Sequence, residues 1–247
     1  MPPVTLSRVE SLKSWSANWN LGTTITQPLA ILLASNSPRR RELMALGAWT
    51  FSVSVPAVDE SQQPGEAPAN YVLRLAEAKA RAAAGGPHSE QFIVAADTVV
   101  VDGRTLLGKP ADGPAAVEML RRLRGHAHQV YTGLAVLNLR DGQLLKDLCI
   151  TDVPMRPYSD SEIDDYVESG DPLDKAGAYA IQHPHFRPVE SLAGCYASVM
   201  GMPLCHLARV LARMHAGPQS DLPANCQARL DYACPVSSAI LRGEQVG

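Results

Sequence analysis

The chain has 247 residues, enough to bury a full core as one large or two small domains. Its 46% hydrophobic and 19% charged residues are those of an ordinary soluble globular protein, and a formal net charge of −3 excludes a global basic field that would draw it to nucleic acid or to an anionic membrane. Five cysteines without a CxxC pair exclude a disulfide framework or zinc ribbon and fit a reducing, cytoplasmic compartment; no run of about 18 apolar residues marks a membrane span, and the first residues lack a signal peptide's apolar core.

Residues 1–27 read as an appended segment. Leu6, Val9, Leu12 and Trp15 recur every third residue, as a short amphipathic helix would, with Trp15 and Trp19 able to strap it to the surface. The fold begins with ILLASNSPRRRELMALG, residues 31–47. An apolar run predicts a strand, Ser37 a helix N-cap, Pro38 the first helical position and Gly47 a left-handed close. Arg39, Arg40 and Arg41 then fall in the first helical turn, where the dipole disfavours cations by roughly 0.3–1 kcal/mol each. Either an anion fills the site, held by free N–H groups and guanidiniums, or the turn is solvated with Arg39 paired to Glu42.

TFSVSV at residues 50–55 alternates as a strand, and the following loop carries the adjacent acids Asp59 and Glu60, a pair whose default setting is solvent. Residues 69–84 predict a helix in which Lys79 borders an apolar stripe, either exposed or reaching a cleft with its ammonium. Residues 92–96 predict a buried strand that delivers Asp97 and Thr98 at its end. A carboxylate there is paired, bound to metal, or a general base. Gly108 and Pro110 fix a turn that presents Lys109.

A helix over 114–123 follows. Strands at 128–138 and 144–155 flank an Asp141-Gly142 turn as an antiparallel hairpin, which makes the sheet mixed. Ser159 or Ser161 caps the next helix. Asp174 and Lys175 precede Gly177, and Tyr179 and Ile181 alternate toward Gln182 as a strand would; Tyr196, Ser198 and Met200 alternate through another. Pro203 opens a helix to about Met214, and the tail after Gly217, with three prolines and no sustained period, is expected to be loosely attached. The organisation is an extension over 1–27, one domain over 28–216 and a tail over 217–247.

Taken in order, SNSPRRREL, VDE, YVLRLAEAKA, ADTVV, GKP, YTG, PLDKAGAYAIQ and VMGMPL resemble the Maf-type nucleoside triphosphate pyrophosphatases, relatives in fold of the inosine triphosphate pyrophosphatases. The resemblance covers about residues 29–216. It implies an α/β fold with a long, curved mixed sheet, flanking helices and two lobes around a central cleft. It also implies hydrolysis of a nucleoside triphosphate between the α- and β-phosphates with Mg²⁺ or Mn²⁺ and, for assembly, a homodimer. Carried over to this sequence, Ser35, Arg39 and Arg40 would hold phosphate, Asp97 would accept the proton of the attacking water, and Asp59 with Asp97 would hold the metal; Lys79 and Lys109 would neutralise the triphosphate and the leaving pyrophosphate. Arg39, Thr98 and Gln182 look like the branch acting on dTTP and UTP, in which the Gln182 amide can pair with a pyrimidine edge. Where the family has a glycine-rich stretch, residues 183–188 read HPHFRP, here taken as surface histidines rather than a metal site. The alternative to an enzyme is a nucleotide-binding regulator of cell division or septation using the same cleft; Asp97 speaks against it, because a pure polyanion binder gains nothing from a buried carboxylate unless a metal bridges the two.

Overall fold

A computed structural model describes residues 29–218 and 220–247. Its sheet is built around the apolar run AILLA, strand β1 (Ala30–Ala34), whose last four residues are buried as a strand covered on both faces requires. β1 lies between β2 (Thr50–Ser54) and the long β3 (Phe92–Asp102), parallel to both. β5 (Ala127–Asn138) pairs antiparallel with β3, and β6 (Leu144–Pro154) with β5, giving the order β2-β1-β3-β5-β6. A short β4 (Thr105–Leu107) folds back on the end of β3. The mixed sheet and its hairpin agree with the sequence pattern.

The register creates an opening. β1 leaves β3 after the Leu33–Val94 pair, and β4 joins only at Val100–Leu107. Between them, residues 95–99 of β3 have no strand on that edge among the described residues, and Asp97 and Thr98 sit in the gap.

Because strand side chains alternate, the two residues serve different faces. Asp97 shares its face with Ile93, Ala95, Val99 and Val101, covered by α2 (Pro68–Ala83) through Val72, Ala76, Ala80 and Ala83. Thr98 shares the other with Val94, Ala96 and Val100, where α1 (Pro38–Met44), α3 (Gly113–Leu123) and α4 (Asp160–Glu168) contribute Leu43, Leu120 and Ile163 to the larger core cluster. α5 (Tyr196–Val199) and α6 (Leu204–Arg213) complete that side with Ala197 and Leu207. Gly133, opposite Asp97 in β5, is what lets α2 lie so close: a Cβ there would be 2.8 Å from the Val72 backbone.

Local signals explain the helix starts. Ser37 accepts from the Arg40 N–H at 3.4 Å with Pro38 behind it, and Ser159 with Glu162 forms a capping box. The first helix closes differently from expectation: Gly47 sits in a short 3-10 turn with the Trp49 ring against its α-carbon, and Ala48 takes the left-handed conformation at φ 55°.

Three other expectations are revised. Residues 179–181 follow a 3-10 turn (Ala176–Ala178) and pair with no strand, and residues 196–199 are the helix α5. Residues 179–181 are all buried in an irregular segment packed on the core, and residues 196–199 bury the neighbours Ala197 and Ser198 as a helix does, so neither is a ladder strand. The tail is not loose. Its helices α7 (Leu222–Leu230) and α8 (Ser237–Leu241) bury Leu222 and Ile240 completely, Asn225 donates to the Leu46 carbonyl at 3.0 Å, and Arg229 pairs with Glu42 at 2.5 Å. Four of the free cysteines, Cys195, Cys205, Cys226 and Cys234, line one small apolar cavity between α6 and the tail. The amphipathic stretch at residues 6–15, with Trp15 and Trp19, lies outside the described residues.

Candidate active site

A cleft of about 780 Å³ opens where β1 ends, and it is lined by Ser35, Arg39, Arg40, Lys79, Asp97, Thr98, Lys109 and Gln182 together with Glu60. The structure therefore brings together every predicted site residue except Asp59.

The α2 side of the cleft is a clasped ammonium. Lys79, on the apolar border of α2, donates to Asp97 Oδ1 at 2.6 Å and meets Glu60 Oε1 at 2.7 Å. The Lys79 and Asp97 side chains are only 12% and 11% exposed, so this is a desolvated pair rather than a surface contact. Burial pushes the Glu60 carboxyl up, but the Lys79 hydrogen bond and the Lys79, Lys109 and Arg40 charges outweigh it and hold the group below its usual range.

Of the adjacent acids, Glu60 and not Asp59 lines the cleft. The Asp59 carboxylate faces solvent and accepts from the Ser61 N–H at 2.9 Å, which holds its pKa below the ordinary value. A turn of that kind uses up the first acid of the pair. The Glu60 carbonyl is fixed by the Tyr71 hydroxyl at 2.9 Å, which anchors the loop to α2.

The opposite side is an arginine held on three donors. Arg40 donates through Nε to the Gly201 carbonyl at 2.8 Å, through Nη1 to Ser35 Oγ at 3.3 Å and through Nη2 to Thr98 Oγ1 at 3.2 Å. A guanidinium carries five N–H groups, so one on each Nη nitrogen is left for a ligand. Burial lowers its pKa from the usual value, with Asp97 pulling the other way. Arg39 pairs instead with Asp174 at 3.2 Å, across 135 residues of chain, and not with Glu42.

Asp174 and Lys175 are the residues the sequence noted without assigning to the site. Lys175 is nearly buried and clamps Asp171 at 2.9 Å and Asp174 at 2.7 Å. Their charged doublet before Gly177 was the available signal. The Gly108 carbonyl accepts from the Gly177 N–H at 3.0 Å, which ties the Lys109 turn to the same segment. Gln182 lies on the exposed rim. Beside it, residues 183–188 form a plug: Phe186 is buried and stacks on Tyr166 at 4.3 Å, and His183 Nδ1 accepts from the Phe186 N–H. Of the two histidines expected at the surface, His185 is exposed and His183 is half-buried.

Cations thus converge on a cleft in which buried Asp97 and exposed Glu60 hold a lysine between them, an arrangement suited to a polyanion. The sequence model described as "Maf-like protein" matches residues 30–214. A curated relative in Geobacter sulfurreducens, named dTTP/UTP pyrophosphatase, is 46% identical over 75% of this chain and 97% of its own. Relatives of the same name in Escherichia coli O157:H7 and Dehalococcoides mccartyi are 41% and 42% identical, each over 76% of this chain and over 94% and 84% of their own.

Proposed function

Because the chain belongs to the Maf-like protein family, we propose that it hydrolyses dTTP and UTP to the monophosphate and pyrophosphate. The observation that carries this reading is the Lys79 ammonium clasped by Glu60 and Asp97 within 2.7 Å, in one cleft with the three-donor Arg40.

Arg40 and Ser35 grip a phosphate at the start of α1, with Arg39 beside them. Lys79 and Lys109 approach from the other side and neutralise charge as it moves onto the leaving pyrophosphate. Asp97 accepts the proton of the attacking water, a task for a carboxylate that is fixed in place at a strand end. Gln182 meets the base at the rim, where its amide both donates and accepts.

Two carboxylates already converge on a shared cation here, which is the donor set that suits Mg²⁺ or Mn²⁺ when phosphate oxygens and water complete the shell. Asp97 and Glu60 would hold it, Glu60 replacing the Asp59 expected from sequence. Such an ion would supply charge neutralisation and polarisation of the phosphate oxygens.

Purified protein is expected to release pyrophosphate from dTTP and UTP with Mg²⁺ or Mn²⁺. Asp97→Asn should abolish turnover while dTTP still binds. Inorganic phosphate as the only product would sink the reading, and full binding without turnover across nucleotides and metals would favour a regulator.

A further inference from the structure

Thr132 lies opposite Thr98 in the β3–β5 register and is completely buried. Its hydroxyl donates to the Ser198 carbonyl at 2.9 Å and lies 3.0 Å from Thr98 Oγ1. The direction of the chain is forced by its ends. Arg40 can only donate and the Ser198 carbonyl can only accept, so the order is Arg40 Nη2 to Thr98, Thr98 to Thr132, Thr132 to Ser198.

The chain then closes on itself. The same Ser198 carbonyl accepts from the Gly201 N–H at 2.8 Å, and the Gly201 carbonyl accepts from Arg40 Nε at 2.8 Å. Gly201 is at φ 100°, and a Cβ there would meet Thr98 Oγ1 at 3.2 Å and Arg40 Nε at 3.3 Å. The guanidinium is therefore one link of a closed ring joining β3, β5 and the Ser198–Gly201 turn. The Thr98 hydroxyl, with its one proton given to Thr132, is committed to that ring and not free to donate to a base.

We infer that Thr132 is a positioning residue for phosphate binding, acting through Thr98 to set the two N–H groups that Arg40 keeps for the ligand. This rests on the phosphate-binding role proposed above for Arg40. Removing the Thr132 hydroxyl leaves Thr98 without its acceptor and the Ser198 turn with one donor fewer, so the guanidinium, still tied to Gly201 and Ser35, is held less firmly on its Thr98 side. Because a phosphate is present in ground and transition states alike, the loss falls on KM rather than kcat.

The test compares wild type, Thr132→Val and Thr132→Ser. With dTTP, Thr132→Val should raise KM about tenfold, the scale of one hydrogen bond to a charged group, with kcat within about threefold, and Thr132→Ser should stay within about twofold on both. Thr98→Val breaks the same relay one link nearer Arg40; the double variant should be no worse than Thr98→Val alone in pyrophosphate affinity. Binding of inorganic pyrophosphate, followed by calorimetry, reads Arg40 without turnover and should weaken about tenfold in Thr132→Val. An unchanged KM and pyrophosphate affinity in Thr132→Val overturns the inference, as does a loss confined to kcat, a Thr132→Ser as poor as Thr132→Val, or additive losses in the double variant. A wild type that binds pyrophosphate but turns over no nucleotide refutes the enzymatic reading instead, and leaves the relay to be judged on the pyrophosphate affinities.

Discussion

His128 makes the fold's stability depend on pH in a defined window. It lies on β5, 3% exposed, with Nε2 2.9 Å from the Tyr179 hydroxyl and the two rings edge to face at 5.4 Å. Nδ1 is buried without a partner among the described residues, so the imidazolium would carry an N–H that none of them accepts. Burial, and secondarily the charge of His126, pushes the pKa down to about 4, with Asp102 pulling weakly upward. The folded value thus lies below the unfolded one of about 6.5. Between the two, the unfolded chain binds the extra proton, so stability is full above pH 6.5 and falls as pH drops toward 4. The slope is at most about 1.4 kcal/mol per pH unit, which sums to about 3 kcal/mol as an upper bound. The other shifted histidine sets the upper end of the window: burial opposes it, but contacts to Asp147 and Cys149 raise His206 to about 9, so its contribution is lost from about pH 6.5 upward and offsets the His128 slope between about pH 6 and 7. Carboxylates held low, such as Glu162 at about 2 beside Arg156, contribute a slope only below about pH 5. Urea midpoints at pH 6.0, 5.5 and about 5 should therefore fall in wild type and flatten in His128→Gln, which cannot titrate. Parallel curves for the two proteins would refute the assignment.

The acidic loop gives a second prediction: Glu60→Gln should raise the Mn²⁺ concentration needed for half-maximal activity at least about tenfold, while Asp59→Asn stays within about twofold. The reverse ranking in a metal titration of pyrophosphate release would return the site to Asp59. Gly133→Ala should destabilise the fold by about 1–3 kcal/mol, read from urea midpoints, because its Cβ would press on the Val72 and Leu73 backbone at 2.8–2.9 Å. An unchanged midpoint would mean that α2 can move away at no cost.

The parts of the fold legible in sequence are those governed by local rules. The Ser37 cap, the α2 stripe and the β5–β6 hairpin each declare themselves within a few residues. Residues 179–181 and 196–199 misled because alternation along the sequence fits a strand, whereas here three consecutive residues are buried after a 3-10 turn in the first case and a helical pair is buried in the second. Asp59 and Glu60 could not be ranked from sequence, since a loop has no period. What ranks them is Lys79 reaching one and the Ser61 amide the other. The tail was equally illegible: its hold on the domain is made by a few separate buried side chains, Leu222 and Ile240, and by single polar contacts, such as Asn225 and Ser220 on the Leu46 carbonyl, which no pattern encodes.

The division of labour in the cleft follows from one step along β3. Successive strand residues face opposite ways, so Asp97 meets Lys79 under α2 while Thr98 meets Arg40 and Thr132 on the far side. The acid with its ammonium and the arginine ring are thus built on separate cores, one made with Ala76 and Ala80 and the other with Leu43 and Ala197. Packing changes in one core need not disturb the other, but a one-residue slip in β3 would exchange both sets at once. That slip is opposed at the site itself, because Gly133 opposite Asp97 is the residue that admits the α2 backbone, and Thr132 opposite Thr98 is the one that completes the ring. The register that seats the sheet is therefore the same register that assembles the site, and Asp97 cannot be aligned with Lys79 unless Thr98 is aligned with Thr132.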